Sequence, residues 1–224
     1  INDADQPVDL KTDTASLAFD HVNFRYTGAE KLALTDVNFT ATAGQTVAII
    51  GGTGSGKSTL VNLIPRLFDP ESGQIKLNGT PLTAMSQEAL HAAISITQQQ
   101  AVLFSGPVRS NMVVGMPEAP DAEIWHALDV AQASDFIKEE GGLDGVVEQN
   151  GDNFSGGQRQ RLVIARTILK RASVYIFDDS FSALDFKTDS LLRQDLRKDE
   201  QVQNGVTVIV AQRVSTDADA DLIL

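Results

Sequence analysis

The sequence predicts an α/β protein: a core of buried parallel strands alternating with helices, an N-terminal antiparallel β subdomain, and an inserted α-helical subdomain. Three observations carry that expectation. Short, β-branched apolar runs at Thr46–Ile50 (TVAII), Val174–Phe177 (VYIF) and Val206–Ala211 (VTVIVA) have the composition of strands buried on both faces. Helical patterns lie between them, with apolar residues three and four apart. The first run ends in GGTGSGKST at 51–59, a glycine-rich turn from strand to helix. Strand, helix, strand in repetition is the pattern of a doubly wound sheet.

Along the chain, Leu17–Phe24 (LAFDHVNF) alternates apolar and polar residues, as does Leu34–Phe39, which suggests an antiparallel pair with one wet face. A helix is expected from about Lys57, with Leu60, Val61, Leu63, Ile64 and Leu67 on one face and Pro65 ending or kinking it. Gly73–Leu77 followed by Asn78-Gly79 reads as strand and turn. Ser86–Ala93 is expected to be helical and Ile94–Thr97 a strand. Pro120–Lys138 carries Ile124, Leu128, Ala131 and Phe136 at helical spacing, Gln158–Lys170 is a second amphipathic helix, and another is expected near Thr188–Leu196. The stretch from about 71 to 157 is the expected insertion. No repeat or low-complexity tract interrupts the chain.

The 224 residues suffice for a substantial core, and 42% hydrophobic with 21% charged residues is an ordinary globular composition. A net charge of −12 argues against a nucleic-acid partner, whose phosphate backbone demands a basic surface. It does not exclude a phosphate ligand, because a phosphate site is a local field of backbone N–H groups and one cation. The absence of Cys rules out disulfides and thiolate metal sites. His21, His91 and His126 are scattered, Trp125 reads as packing, and Glu139-Glu140 and the run Asp217–Asp221 read as solvated faces. No apolar run approaches the roughly 18–20 residues that cross a bilayer. Residues 1–16 (INDADQPVDLKTDTAS) read as a polar linker, and the abrupt end at ADLIL suggests a piece of something longer.

Gly51, Gly54, Gly56, Lys57 and Ser58 satisfy G-x-x-x-x-G-K-[ST] between an expected strand and an expected helix, the context the motif requires. Glycines let successive N–H groups turn toward the β- and γ-phosphates without Cβ clashes. Lys57 supplies a point charge to the same phosphates, and the Ser58 hydroxyl suits Mg²⁺. Gly52, Thr53, Ser55 and Thr59 complete the candidate loop. The expected ligand is a nucleoside triphosphate.

Further stretches narrow the class. NFSGGQ at 153–158 resembles the signature motif of ATP-binding cassette (ABC) proteins, with Phe154 in the usual Leu position. Ser155, Gly156, Gly157 and Gln158 open a helix there, a second anion-binding N-terminus, which in that family faces the γ-phosphate of an opposing subunit. The resemblance implies a P-loop NTPase fold of RecA-like type, with ATP and Mg²⁺ as cofactors. It assigns Asp178, at the end of VYIFD, to Mg²⁺ through water, and SALD at 182–185 to the D-loop. Gln99, in ITQQQAVLFSG, takes the position of the glutamine that senses Mg²⁺ and attacking water, and its loop meets membrane domains. Tyr26, in NFRYTG, fits the aromatic that stacks on adenine, although a core ring would also suit its apolar flanks. Glu148 and Gln149 fall where exporters touch the membrane domain's coupling helices, and equally suit a plain surface turn.

AVLFSGPVRSNM and VAQRVSTDADADLIL are similar to exporter-type cassettes, which implies a membrane-spanning domain as partner, a second cassette in a dimer, and a place at the cytoplasmic face of the cell membrane. Residues 17–224 would then form the cassette, with a further C-terminal segment missing.

Two positions depart from the family pattern. Asp179 stands where Glu polarises water, and the lost methylene withdraws the carboxylate by roughly 1.5 Å. A misplacement of about 1 Å can cost on the order of 10²-fold in rate. Gln212 stands where the switch His would be, and Gln cannot exchange a proton near neutral pH. Together they resemble the degenerate half of a heterodimeric exporter, which holds ATP in its own site while its signature completes the competent one. The alternatives are a homodimeric exporter cassette with slow but complete turnover at Asp179, Gln212 and Gln99, a soluble ABC ATPase, and a regulatory ATP-binding module with no catalytic partner.

Overall fold

The structure, a computed structural model, describes residues 1–10, 14–211 and 220–224. The elements in chain order are β1 (Ser16–Phe24), β2 (Leu34–Thr42), β3 (Thr46–Ile50), α1 (Lys57–Leu63), β4 (Ser72–Leu77), β5 (Thr80–Pro81), α2 (Gln87–Ala92) and β6 (Ile94–Thr97). There follow β7 (Gly106–Pro107), α3 (Val108–Met112), α4 (Asp121–Val130), α5 (Ser134–Glu139), β8 (Val146–Val147), α6 (Gly156–Leu169), β9 (Val174–Asp178), α7 (Phe186–Lys198), α8 (Glu200–Gln203), β10 (Val206–Ala211) and β11 (Leu222–Ile223). They divide into two compact units, one of residues 1–95, 172–178 and 204–224, the other of residues 96–171 and 179–203.

The first unit holds two sheets. One is antiparallel, in the order β2-β1-β4-β5. Phe19 of β1 lies opposite Phe39 of β2 and Ile75 of β4, and the two Phe rings stack at 4.9 Å. The register shifts beyond Phe19, where His21 takes φ 49°. Gly73 is required beside that bulge, because a Cβ there would sit 2.3 Å from the His21 carbonyl oxygen. Asn78 and Gly79, at φ 51° and 78°, form a two-residue hairpin turn in which both central residues need positive φ. In the second sheet β11, β3, β10 and β9 run side by side, and β6 starts beyond β9. β3, β9 and β10 are parallel, with Val47 and Ile176 both opposite Val208. Their near-continuous burial explains the near-absence of alternation in those segments.

α1 ends earlier than its periodicity suggests. Arg66 takes φ 55°, Arg66 N–H reaches the Leu63 carbonyl at 3.1 Å, and Leu67 N–H reaches Asn62 at 3.0 Å. This is a left-handed helix stop. Leu67, expected on the buried face, is 53% exposed because the chain has already reversed.

In the second unit α6 packs against α3 and α4, burying Met112, Ile124, Leu128, Leu162 and Ile164. The single helix expected over 120–138 is two, α4 and α5. Gln132 adopts φ 58°, its N–H bonds Asp129 at 3.0 Å, and Ala133 N–H bonds Leu128 at 2.7 Å. The stop uses Gln where Gly is usual, so no glycine marks it. Trp125 lies on α4 with the Lys138 ammonium 5.6 Å from its ring centre. Glu139 and Glu140 are exposed, as expected.

Asp221 is more than a solvated face, since its carboxylate accepts from Thr46 N–H at 2.7 Å and its own N–H reaches the Thr46 carbonyl at 2.9 Å. Gln212 and Asp217–Asp219 lie outside the described residues. The opening segment makes specific bonds to the first unit: Val8 N–H reaches the Ala84 carbonyl at 2.8 Å, and Asp3 accepts from Gln87 N–H at 2.8 Å.

Candidate nucleotide site

The loop 51–56 leaves the carboxyl end of β3 and enters α1. Gly54 and Gly56 have φ 80° and 97°, a conformation that side chains resist. Gly51 is constrained by closeness, since a Cβ would lie 2.4 Å from Ser55 Oγ. Among the described residues, nothing lies within 4 Å of a Cβ added at Gly52 or Gly54. Thr53, Ser55 and Ser58 are exposed. No side chain caps α1, so its leading N–H groups lack the partner that an N-cap side chain supplies. The Lys57 ammonium donates to the Gly51 and Gly52 carbonyls at 2.5 and 2.7 Å, which holds the cation against the loop.

Tyr26 is 41% exposed, so it is a surface ring rather than a core one. Phe24 meets it edge-on at 4.9 Å and Phe68 edge-on at 5.6 Å. Its hydroxyl lies 2.8 Å from Thr59 Oγ1. Phe24 and Phe68 escaped the sequence reading. No short sequence signal marks Phe68 as a neighbour of Tyr26, because the left-handed stop at Arg66 that precedes it carries no glycine.

Asp178 ends β9, opposite Val210 of β10, and Ile50 ends β3, opposite Ala211. Since β10 separates the two strands, the tips of β3 and β9 share the carboxyl edge of one sheet, about 10 Å apart. That edge is where α/β sheets bind ligands. The Ser58 hydroxyl and the Asp178 carboxylate are hard oxygen donors of the kind Mg²⁺ takes, an ion that keeps several of its waters.

In the second unit, the Gln99 side-chain amide donates to Asp179 Oδ2 at 3.3 Å. Asp179 takes φ 47°, a left-handed conformation that Asp tolerates better than most residues. The turn is secured on both sides: Ser182 Oγ donates to the Asp179 carbonyl at 3.0 Å and Ser180 Oγ to the Thr97 carbonyl at 3.4 Å.

Ser155 caps α6 in a reciprocal box, its Oγ accepting from Gln158 N–H at 3.2 Å while Gln158 Oε1 accepts from Ser155 N–H at 2.8 Å. Gln158 is therefore committed to the cap through its carbonyl oxygen. Gly156 is open, whereas a Cβ on Gly157 would lie 3.2 Å from the Ala183 carbonyl, which brings the 182–185 segment against the helix start. Asp185 in turn caps α7, accepting from the Thr188 hydroxyl at 2.7 Å and its N–H at 3.0 Å. The Thr188 hydroxyl, with backbone N–H groups added, holds the Asp185 carboxyl below its ordinary value. Phe154 is buried and meets the Phe136 ring at 5.8 Å. Asn153 ties the preceding loop together, accepting from Glu148 N–H and donating to the Val146 carbonyl, both at 2.9 Å.

The phosphate loop, Asp178 and Tyr26 thus belong to the first unit, and Gln99, Asp179 and the 155–158 cap to the second. No described helix is long and apolar enough to cross a membrane.

Residues 34–182 match the family described as ABC transporter. The chain is 44% identical over 224 residues to an uncharacterized ABC transporter ATP-binding protein of Mycobacterium tuberculosis, covering 97% of this chain and 37% of that protein. It is 41% identical over 210 residues to an ATP-dependent lipid A-core flippase of Alkalilimnicola ehrlichii, covering 93% and 35%. It is 39% identical over 228 residues to the beta-(1→2)glucan export ATP-binding/permease protein NdvA of Agrobacterium fabrum, covering 100% and 38%. Among solved structures it is similar to a bacterial Atm1-family ABC exporter with ATP bound, at TM-score 0.91 and 35% identity over 100% of this chain and 39% of that one. The chain therefore spans a little over a third of the length of the relatives it matches. On the family match and these likenesses together, it belongs to the ABC transporter family, as an ATP-binding domain.

Proposed function

We propose that the chain binds Mg-ATP and pairs with a second cassette to power export through a membrane-spanning domain, from the cytoplasmic face of the membrane. The relatives named as a flippase and a glucan exporter support that reading. Lys57, the loop glycines, Thr53, Ser55, Ser58 and Thr59 would hold the triphosphate end, and Tyr26 the base. Ser58 and Asp178 would hold Mg²⁺, which when bound neutralises charge on the phosphates. Lys57 would exchange its two loop carbonyls for phosphate oxygens, a stronger charge-assisted partnership.

At its own site this cassette holds ATP better than it cleaves it. The single observation behind that reading is Asp179, a carboxylate one methylene shorter than the family's glutamate, bonded to Gln99. Gln212, in the place of the switch histidine, adds to it. The pre-ordered 155–158 cap would complete the site of the partner cassette. The competing reading is a slow homodimer, and the same Gln99–Asp179 pair favours it to the extent that a carboxylate still stands beside the glutamine.

Mg-ATP binding and phosphate release, measured on one purified sample at high protein concentration, separate the two readings. Lys57→Ala should abolish binding. Tight binding with almost no release supports the degenerate site. Release that rises with protein concentration overturns it in favour of the homodimer.

A further inference from the structure

Thr59 follows Ser58 on the first turn of α1, and the motif alone would aim it at phosphate. Its side chain is engaged elsewhere. Thr59 is 7% exposed, and its Oγ1 lies 2.8 Å from Tyr26 Oη. The Tyr26 ring is flanked by the Phe24 and Phe68 rings, at interplanar angles of 84° and 82°, and the residue is 41% exposed. Edge-to-face contacts are weak and tolerate a range of ring offsets. They restrict the tilt of Tyr26 while leaving it free to rock. A hydrogen bond at the far end of the ring removes that freedom.

We infer that Thr59 is a positioning residue for the base end of the site: its hydroxyl holds Tyr26 in the orientation in which the exposed part of the ring meets a nucleotide base. The inference rests on the reading of Tyr26 and the 51–59 loop as one nucleotide site. It adds a link between the two ends, because Lys57, Ser58 and Thr59 are consecutive on one helical turn. Base stacking and phosphate binding then share a rigid element, and pre-ordering of the ring lowers the entropy lost when the base docks.

The chain has two tyrosines, which makes the tie visible without nucleotide. Tyr175 is buried, and its hydroxyl accepts from Ala172 N–H at 3.0 Å, so it serves as an internal reference. With ring-¹³C tyrosine, Thr59→Val should move the Tyr26 resonance and leave that of Tyr175 in place, and Thr59→Ser should restore it. Affinity is then measured for ATP and for inorganic tripolyphosphate. Thr59→Val and Tyr26→Phe should each weaken ATP roughly threefold to tenfold, the range of one net hydrogen bond. The double variant should be no worse than either single one, and tripolyphosphate affinity should not change.

A Tyr26 resonance that stays in place in Thr59→Val overturns the inference. So do additive losses in the double variant. Equal loss of tripolyphosphate affinity would make Thr59 a direct phosphate contact and overturns it as well. Wild-type protein that binds neither ligand overturns the nucleotide reading together with the inference, whereas protein that binds ATP and fails the coupling test overturns the inference alone.

Discussion

Gln99 and Asp179 meet side chain to side chain, amide nitrogen to carboxylate oxygen, at 3.3 Å across eighty residues of sequence. The Gln99 amide orients a carboxylate that is already set by a left-handed backbone at φ 47°. On the proposed reading, that carboxylate is the acid of this site and is one methylene short. Lengthening it and disconnecting it should have different consequences.

In the assembled transporter, Asp179→Glu combined with Gln212→His is expected to raise phosphate release from this site by on the order of 10²-fold, the cost of about 1 Å of misplacement. Gln99→Ala on that background should lower kcat while leaving ATP affinity nearly unchanged, because it disturbs the acid and spares the phosphate loop. Single-turnover release with bound ATP reads both. No gain from the paired substitution would reject the account of Asp179.

Phe154→Leu installs the residue usual for the family at this position and should nevertheless destabilise this chain by about 1 kcal/mol or more. The ring is 3% exposed and packed edge-on against Phe136, and a buried aromatic pair contributes about 0.5–1.5 kcal/mol beyond its area. Urea midpoints of the two proteins check this, and equal midpoints would show that the pocket collapses without cost.

Ser155→Ala removes the acceptor of Gln158 N–H and, with it, the reciprocal box. An N-cap loss of about 1 kcal/mol corresponds to a fall in Tm of about 2–4 °C in a domain of this size. Ser155→Asn, which keeps an acceptor oxygen, should recover most of it. Calorimetry of the three proteins distinguishes a capping effect from general disruption at the start of α6.

The Asp185 carboxyl is held below its ordinary value of 3.8, first by the Thr188 hydroxyl and then by backbone N–H groups. A carboxyl depressed in the folded state stabilises the fold fully above its unfolded value. That contribution is lost as the pH falls below about 3.8 and through the lower folded value. Asp185→Asn keeps the cap and removes the titration. Its stability should therefore fall less steeply than wild type below about pH 4, as read by urea unfolding at stepped pH. Parallel acid profiles would exclude Asp185 as a contributor.

Local demands were written plainly along the chain. The run TVAII, the glycines before Lys57 and the Ser155–Gln158 spacing each carry their own geometric reason: side chains that fill a buried strand, backbone angles that only glycine takes freely, a serine oxygen within reach of N–H groups three residues on. β6 and β10 lie where their residues predict, and so does the Asn78-Gly79 turn. The elements misjudged were those whose stop depends on packing. α1 and the 120–138 segment both end in left-handed residues, Arg66 and Gln132, at which no glycine appears, and the periodic apolar pattern runs on past each stop. Glutamine and arginine accept a positive φ there because the bonds to Leu63 and Asp129, and to Asn62 and Leu128 just beyond, repay the strain.

By itself the sequence determined the glycine-rich turn at 51–56, the buried strands and the Ser155–Gln158 cap, because each is satisfied by hydrogen bonds and steric demands within a few residues. Which distant groups meet was left to the tertiary structure. Strand order set Asp178 and the loop at one edge of the β3-β10-β9 sheet. Packing of Phe68 and Phe24 fenced Tyr26, and Thr59 came within reach of its hydroxyl only because α1 follows β3 along that edge. Such pairings are decided by how apolar faces are buried together, a property of the whole core that no short stretch of sequence contains.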